Sequence, residues 1–100
     1  MTGNSVIQSL LQNIKVQVKN LSGTSNDRPE DFDSWMDFYN HYNPFRLEFC
    51  SACGSLDDIV GAHVYRTDGN GDYFIVPLCK GCNARRDAFM VYLNDLVPLQ

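Results

Sequence analysis

The chain has no long hydrophobic run, no secretory signal pattern and no excess of basic residues. None of its apolar stretches approaches the roughly 20 residues needed to cross a bilayer, and its first residues lack the basic, apolar and small-residue pattern of a signal peptide. These absences predict a cytoplasmic protein with no membrane partner. The formal net charge is −4, so no global basic field attracts the chain to nucleic acid.

What is present indicates a folded globule. Hydrophobic residues make up 44% of the chain, more than a disordered segment contains. A chain of 100 residues buries a limited core, and a bound metal ion would be a useful cross-link for it. We expect one α+β domain over residues 1–100, with a helical segment over 1–44 and a compact metal-binding unit over 45–97.

The N-terminal segment shows two helix patterns. Over residues 5–21, apolar residues recur at helical spacing behind a capping box of Ser5 and Gln8. A competing strand prediction rests on the alternation of Ile14, Val16 and Val18. A second helix is predicted from Pro29 to about residue 43. Residues 27–37 hold five carboxylates against one arginine, and the role of this acidic stretch is left open.

The second half of the chain changes pattern. Short strands are predicted over residues 46–50 and 72–78, with a turn rich in Gly, Asn and Asp at 67–72. A final helix is predicted over 84–97, where apolar residues again fall at helical spacing before a closing proline.

All four cysteines of the chain fall in two C-x-x-C pairs, Cys50 with Cys53 and Cys79 with Cys82. In a reducing compartment this spacing indicates metal ligation rather than disulfides, and four thiolates complete the tetrahedral shell that zinc accepts. We therefore expect one structural Zn²⁺ per chain. Gly54 after the first pair is also typical of rubredoxin-type iron sites, whereas Asn83 and a helix start after the second pair favour a treble clef.

The strings CSACG, GAHV and IVPLCKGCN, followed by the basic ARR, resemble the four-cysteine zinc branch of the His-Asn-His (HNH) nuclease family over residues 50–87. The resemblance implies a zinc treble clef with a ββα arrangement of β-hairpin and helix. It also implies that His63 is the general base and that Asn83 helps to hold a catalytic Mg²⁺ or Mn²⁺.

The sequence departs from the family pattern at two places. Ala62 occupies the position of a metal ligand, and Ile75 lies where the loop asparagine is expected, with Asn70 in the preceding turn as a distant substitute. The first hypothesis is therefore a degenerate HNH-like module that binds nucleic acid or protein. The second is an active endonuclease, and the third is an iron electron carrier.

A small basic cluster follows the second cysteine pair. It consists of Lys80, Arg85 and Arg86, which are the candidate contacts for nucleic acid. The alternative is an ordinary solvated surface, because three cations on an acidic protein give little affinity at physiological salt.

Overall fold

The computed structural model describes residues 14–22, 28–44, 46, 48–69 and 71–99. These residues form a small mixed α/β domain built on an antiparallel sheet. The elements in chain order are β1 (Lys15–Asn20), α1 (Trp35–Tyr42), β2 (Ile59–Arg66), β3 (Tyr73–Cys79), α2 (Lys80–Asn83), β4 (Phe89–Tyr92), a 3-10 turn (Leu93–Asp95) and β5 (Val97–Pro98). The five strands lie side by side in the order β4-β1-β2-β3-β5.

The first strand corrects the prediction for the N-terminal segment. Residues 15–20 form β1 between β4 and β2, so the helix predicted over 5–21 is wrong there and the competing strand prediction is confirmed. Val16 and Val18 are buried while Lys15 and Gln17 are exposed, which is the alternation that a strand with one covered face requires. Residues 5–13 of the predicted helix lie outside the described part of the chain.

The central hairpin consists of β2 and β3. The strand predicted over 72–78 is confirmed as β3, but residues 46 and 48–50 contain no strand. The partner of β3 is instead β2, paired from Ile59 opposite Cys79 to Tyr65 opposite Tyr73. Three consecutive residues of β2 are buried, because both faces of the sheet are covered at this point, and the polar–apolar alternation of a half-exposed strand is therefore lost.

The C-terminal helix predicted over residues 84–97 is wrong. The chain forms β4, the 3-10 turn and β5 there. Phe89 lies opposite Val18 and Val91 opposite Val16, and all four side chains are buried. The pairing with β1 completes the sheet, so non-local burial outweighs the helical spacing of the apolar residues.

Helix α1 begins later than the sequence predicts. Ser34 is its N-cap, with Oγ accepting a hydrogen bond from the backbone amide of Asp37 at 3.0 Å. Pro29 precedes the helix and is buried. The start of the helix lies directly over Gly61 of β2, where a Cβ would come within 2.6 Å of the backbone carbon of Trp35. Only glycine permits this close approach of the helix to the sheet.

Two hydrophobic clusters lie on opposite faces of the sheet. Helix α1 packs on one face, where Tyr39 joins Ile75 and Val97. The other cluster contains side chains from β1 to β4 together with Cys50 and Cys82. Partners across the sheet point to the same side, so the cysteine-bearing loops cover the face opposite α1.

Candidate metal centre

The two cysteine pairs come together, as their spacing predicts. The four Sγ atoms, those of Cys50, Cys53, Cys79 and Cys82, all lie within 4.8 Å of one another. Each thiol is free, and the Sγ atoms of Cys53 and Cys79 are 3.7 Å apart, too far for a disulfide. Two of the thiols are buried and two are partly or fully accessible. The cluster is consistent with a single metal site.

The first pair lies in a tight turn anchored to the sheet. The amide of Cys53 donates to Cys50 Sγ at 3.4 Å, and the amide of Gly54 donates to the carbonyl of Cys50 at 2.9 Å. Gly54 has φ of +81°, a left-handed conformation that glycine adopts without strain. The amide of Ser51 donates to the carbonyl of Pro77 at 2.9 Å, so the turn is attached to β3.

The second pair sits where β3 becomes α2. Cys79 ends the strand and is the N-cap of the helix, and its Sγ accepts from the amide of Cys82 at 3.5 Å. A cysteine at a helix start thus has a function: its sulfur accepts a hydrogen bond from an amide of the first turn that has no partner within the helix.

The thiols differ in acidity because their surroundings differ. Burial opposes ionisation of Cys50, but hydrogen bonds from the backbone of Cys79, Cys53 and Ala52 outweigh it and lower the pKa of Cys50 to about 7. Burial, reinforced by the neighbouring thiols, raises the pKa of Cys82 to about 12. Four thiolates so close together repel one another, and a bound cation would offset that repulsion and allow every sulfur to ionise.

An asparagine that sequence reasoning missed supports the second pair. Asn20 Nδ2, at the end of β1, donates to the carbonyl of Cys82 at 3.0 Å and to that of Arg85 at 2.9 Å. These residues are 62 and 65 positions away in the chain, and no local motif marks Asn20. The amide fixes the residues after α2 against the sheet.

A second missed group supports the first pair. Asp95 accepts a hydrogen bond from Ser51 Oγ at 2.7 Å and one from Arg46 Nη2 at 2.9 Å. Ser51 Oγ accepts in turn from the amide of Tyr92 at 3.1 Å. This polar cluster of Arg46, Ser51 and Asp95 links the turn between Cys50 and Cys53 to the C-terminal strands.

His63 lies apart from the cysteines. It is on β2 opposite Ile75 and only 8% exposed, with its ring centroid 4.4 Å from that of Trp35 in an edge-to-face contact. Its neighbours Ala62 and Val64 belong to the cluster that contains Cys50 and Cys82, so His63 faces α1 on the other side of the sheet. Asn83 is exposed at the end of α2, and Asn70 lies outside the described residues.

The basic cluster is exposed but partly neutralised. Arg85 donates from Nε and Nη2 to the carboxylate of Asp87, at 3.2 and 2.8 Å. This pairing lowers the pKa of Asp87. Lys80 and Arg86 are exposed nearby. Two cations therefore remain without an ion pair among the described residues of this loop.

Comparison with known proteins adds no assignment: no family model, curated protein or solved structure shows significant similarity to the chain. None of the described helices is long and apolar enough to span a membrane. The functional argument therefore rests on the residues themselves.

Proposed function

We propose that the four cysteines hold one structural Zn²⁺. A tetrahedron with Zn–S bonds of about 2.3 Å has edges of about 3.8 Å, and the Cys53–Cys79 separation of 3.7 Å matches such an edge. The filled d shell of Zn²⁺ imposes no ligand geometry, so the ion accepts a tetrahedron of four thiolates. When bound, it offsets half of their negative charge and cross-links the first turn, β3 and α2, which together gain the stability that a small core lacks.

We further propose that this centre is a treble clef of the HNH-like kind. Three features support the assignment: a turn carrying the first pair, the β2–β3 hairpin, and a second pair at a helix start. One feature departs from the expected ββα unit, because α2 has only four residues. A helix of one turn offers little surface on which to build a catalytic metal site.

The domain's function, in this proposal, is binding rather than catalysis. The observation that carries it is the position of His63, which is buried against Trp35 on the sheet face opposite the cysteines. A general base must reach the water it activates. Ala62 is 2% exposed, and its side chain carries no oxygen that could bind Mg²⁺ or Mn²⁺. Four thiolates leave the zinc itself no open position for water.

A plasmid-nicking assay tests the absence of catalysis. Zinc-loaded protein is incubated with supercoiled plasmid and Mg²⁺, Mn²⁺ or Ni²⁺, beside a His63→Ala variant whose zinc content confirms folding. We expect both proteins to show the same background. Metal-dependent cleavage by the wild type that disappears in His63→Ala would overturn the binding-module proposal and assign a nuclease, whereas equal cleavage by both proteins would indicate contamination.

A further inference from the structure

A groove lies beside α1, and none of the four cysteines lines it. It has a volume of about 710 Å³, within the range of ligand-binding sites. Aromatic side chains on or beside α1 form one wall and residues 96–99 form the other. The apolar lining includes Phe32, Trp35, Phe38, Tyr42, Leu96 and Leu99.

The groove runs along the helix for more than one turn. Trp35, Phe38 and Tyr42 are spaced at i, i+3 and i+7, so they line about 10 Å of helix axis. An extended peptide of three residues covers the same length. Tyr42 is 60% exposed, which leaves this wall open to a partner.

The mouth of the groove is acidic. Glu30 and Asp31 are exposed and line it, and residues 28–44 contain four carboxylates against one arginine. Carboxylates beside aromatic rings attract a guanidinium or ammonium group through both charge and cation–π contact.

The indole of Trp35 supplies a third observation. Its Nε1 is buried and has no hydrogen-bond partner in the described part of the chain. A buried donor without an acceptor is costly. A bound peptide brings backbone carbonyls, which are the acceptors that this donor lacks.

Addition of a peptide as a sixth strand is less suited to this edge. The outer strand β5 has two residues, and one of them is Pro98, which has no amide to donate. A peptide is therefore expected to bind in the groove lined by side chains rather than to pair with the edge strand β5.

Building on the proposed binding function, we propose that the groove between α1 and residues 96–99 docks a segment of a partner protein that combines basic and apolar side chains. Its apolar residues pack on the aromatic wall, and a lysine or arginine meets Glu30 and Asp31. Nucleic acid is the alternative occupant, to which an acidic mouth is repulsive.

The single tryptophan of the chain reports on this groove directly. The probe is an acetylated, amidated hexapeptide of alternating leucine and arginine, titrated into zinc-loaded protein while Trp35 fluorescence is followed. Matched peptides replace arginine with glutamine or glutamate, and a single-stranded DNA oligomer is titrated in parallel. We expect a saturable change with the arginine peptide, weakened by salt, and at least tenfold weaker binding of the glutamate peptide.

Matched variants distinguish binding in the groove from attraction of the peptide to the acidic protein as a whole. Glu30→Gln combined with Asp31→Asn removes two charges at the mouth, and Asp57→Asn combined with Asp58→Asn removes two exposed charges that do not line it. We expect the first pair to weaken peptide binding about threefold to tenfold and the second to leave it unchanged. Tyr42→Ala, at an exposed position, should also weaken binding.

Several results would overturn the docking proposal. These are no saturable change with the arginine peptide, equal binding of the glutamine peptide, equal loss in both double variants, or a saturable change with DNA alone. Zinc content is measured on every variant. If it stays at one per chain while peptide binding is absent, the groove proposal fails and the metal proposal stands.

Discussion

Removing the carboxylate of Asp95 should destabilise the domain more than any surface change. Arg46 Nη2 donates to Asp95 Oδ2 at 2.9 Å, and Arg46 Nε forms an ion pair with Oδ1 at 2.8 Å. Ser51 donates to the same carboxylate. The Arg46 and Asp95 side chains are only 8% and 13% exposed, so water cannot replace the lost partner.

The magnitude follows from this burial. Asp95→Ala leaves the Arg46 guanidinium without its counter-charge, and breaking a buried pair from one side costs about 3–5 kcal/mol. That is a large share of a typical stability of about 5–15 kcal/mol. Asp95→Asn keeps the shape and one acceptor, so its cost should be smaller.

The assay is urea unfolding at saturating zinc, because ligand concentration shifts apparent stability. Asp68→Ala is the matched control, since Asp68 pairs with Arg66 at 2.9 Å but is 61% exposed. We expect the control to lose much less stability than Asp95→Ala, because its ion pair is exposed to solvent. Equal losses in Asp95→Ala and Asp68→Ala would refute the assignment of a buried, stabilising ion pair.

Two further predictions concern α1. Gly61→Ala should displace the helix and cost more than the roughly 1–3 kcal/mol typical of overpacking, because the added Cβ meets backbone atoms at 2.6–2.8 Å; a thermal melt no lower than wild type would contradict this. Burial raises the pKa of Tyr39 from 10.0 to about 12, so the contribution of its neutral phenol is fully present below pH 10 and is lost as pH rises towards 12. Between pH 10 and pH 12 the free energy of unfolding of the wild type should therefore fall by about 2–3 kcal/mol more than that of Tyr39→Phe. Free energies of unfolding that fall in parallel with pH in the two proteins would contradict the assignment.

Local spacing was sufficient to predict the cysteine site. The two atoms that must meet within a C-x-x-C pair are three residues apart, so the turn that brings them together is encoded in the pair itself. The alternation of Ile14, Val16 and Val18 indicated β1 only as the competing interpretation, because the helical stripe over residues 5–21 was the stronger pattern and led to the wrong prediction over residues 15–20. A local sequence pattern is sufficient to predict a feature whose contacting atoms lie within a few residues of one another.

Non-local burial explains what the sequence did not reveal. Phe89, Tyr92, Leu93 and Leu96 are spaced for a helix. Only the pairing of Phe89 and Val91 with Val18 and Val16 makes residues 89–92 a strand. Asn20 reaches a carbonyl 62 residues away, and Asp95 reaches Ser51 across 44 residues. Such contacts form only when the sheet is assembled, so the residues near Asn20 or Asp95 in the sequence do not predict them.

The most direct test of the metal centre is to determine the metal and its ligands in freshly purified, reduced protein. Elemental analysis should give about one zinc per chain, and zinc-edge X-ray absorption should show four sulfur neighbours at about 2.3 Å. A Cys79→Ser variant should lose that shell and unfold. Protein that is folded without any metal would contradict the account, and a red protein carrying one iron with four sulfurs would replace the zinc proposal with an electron carrier.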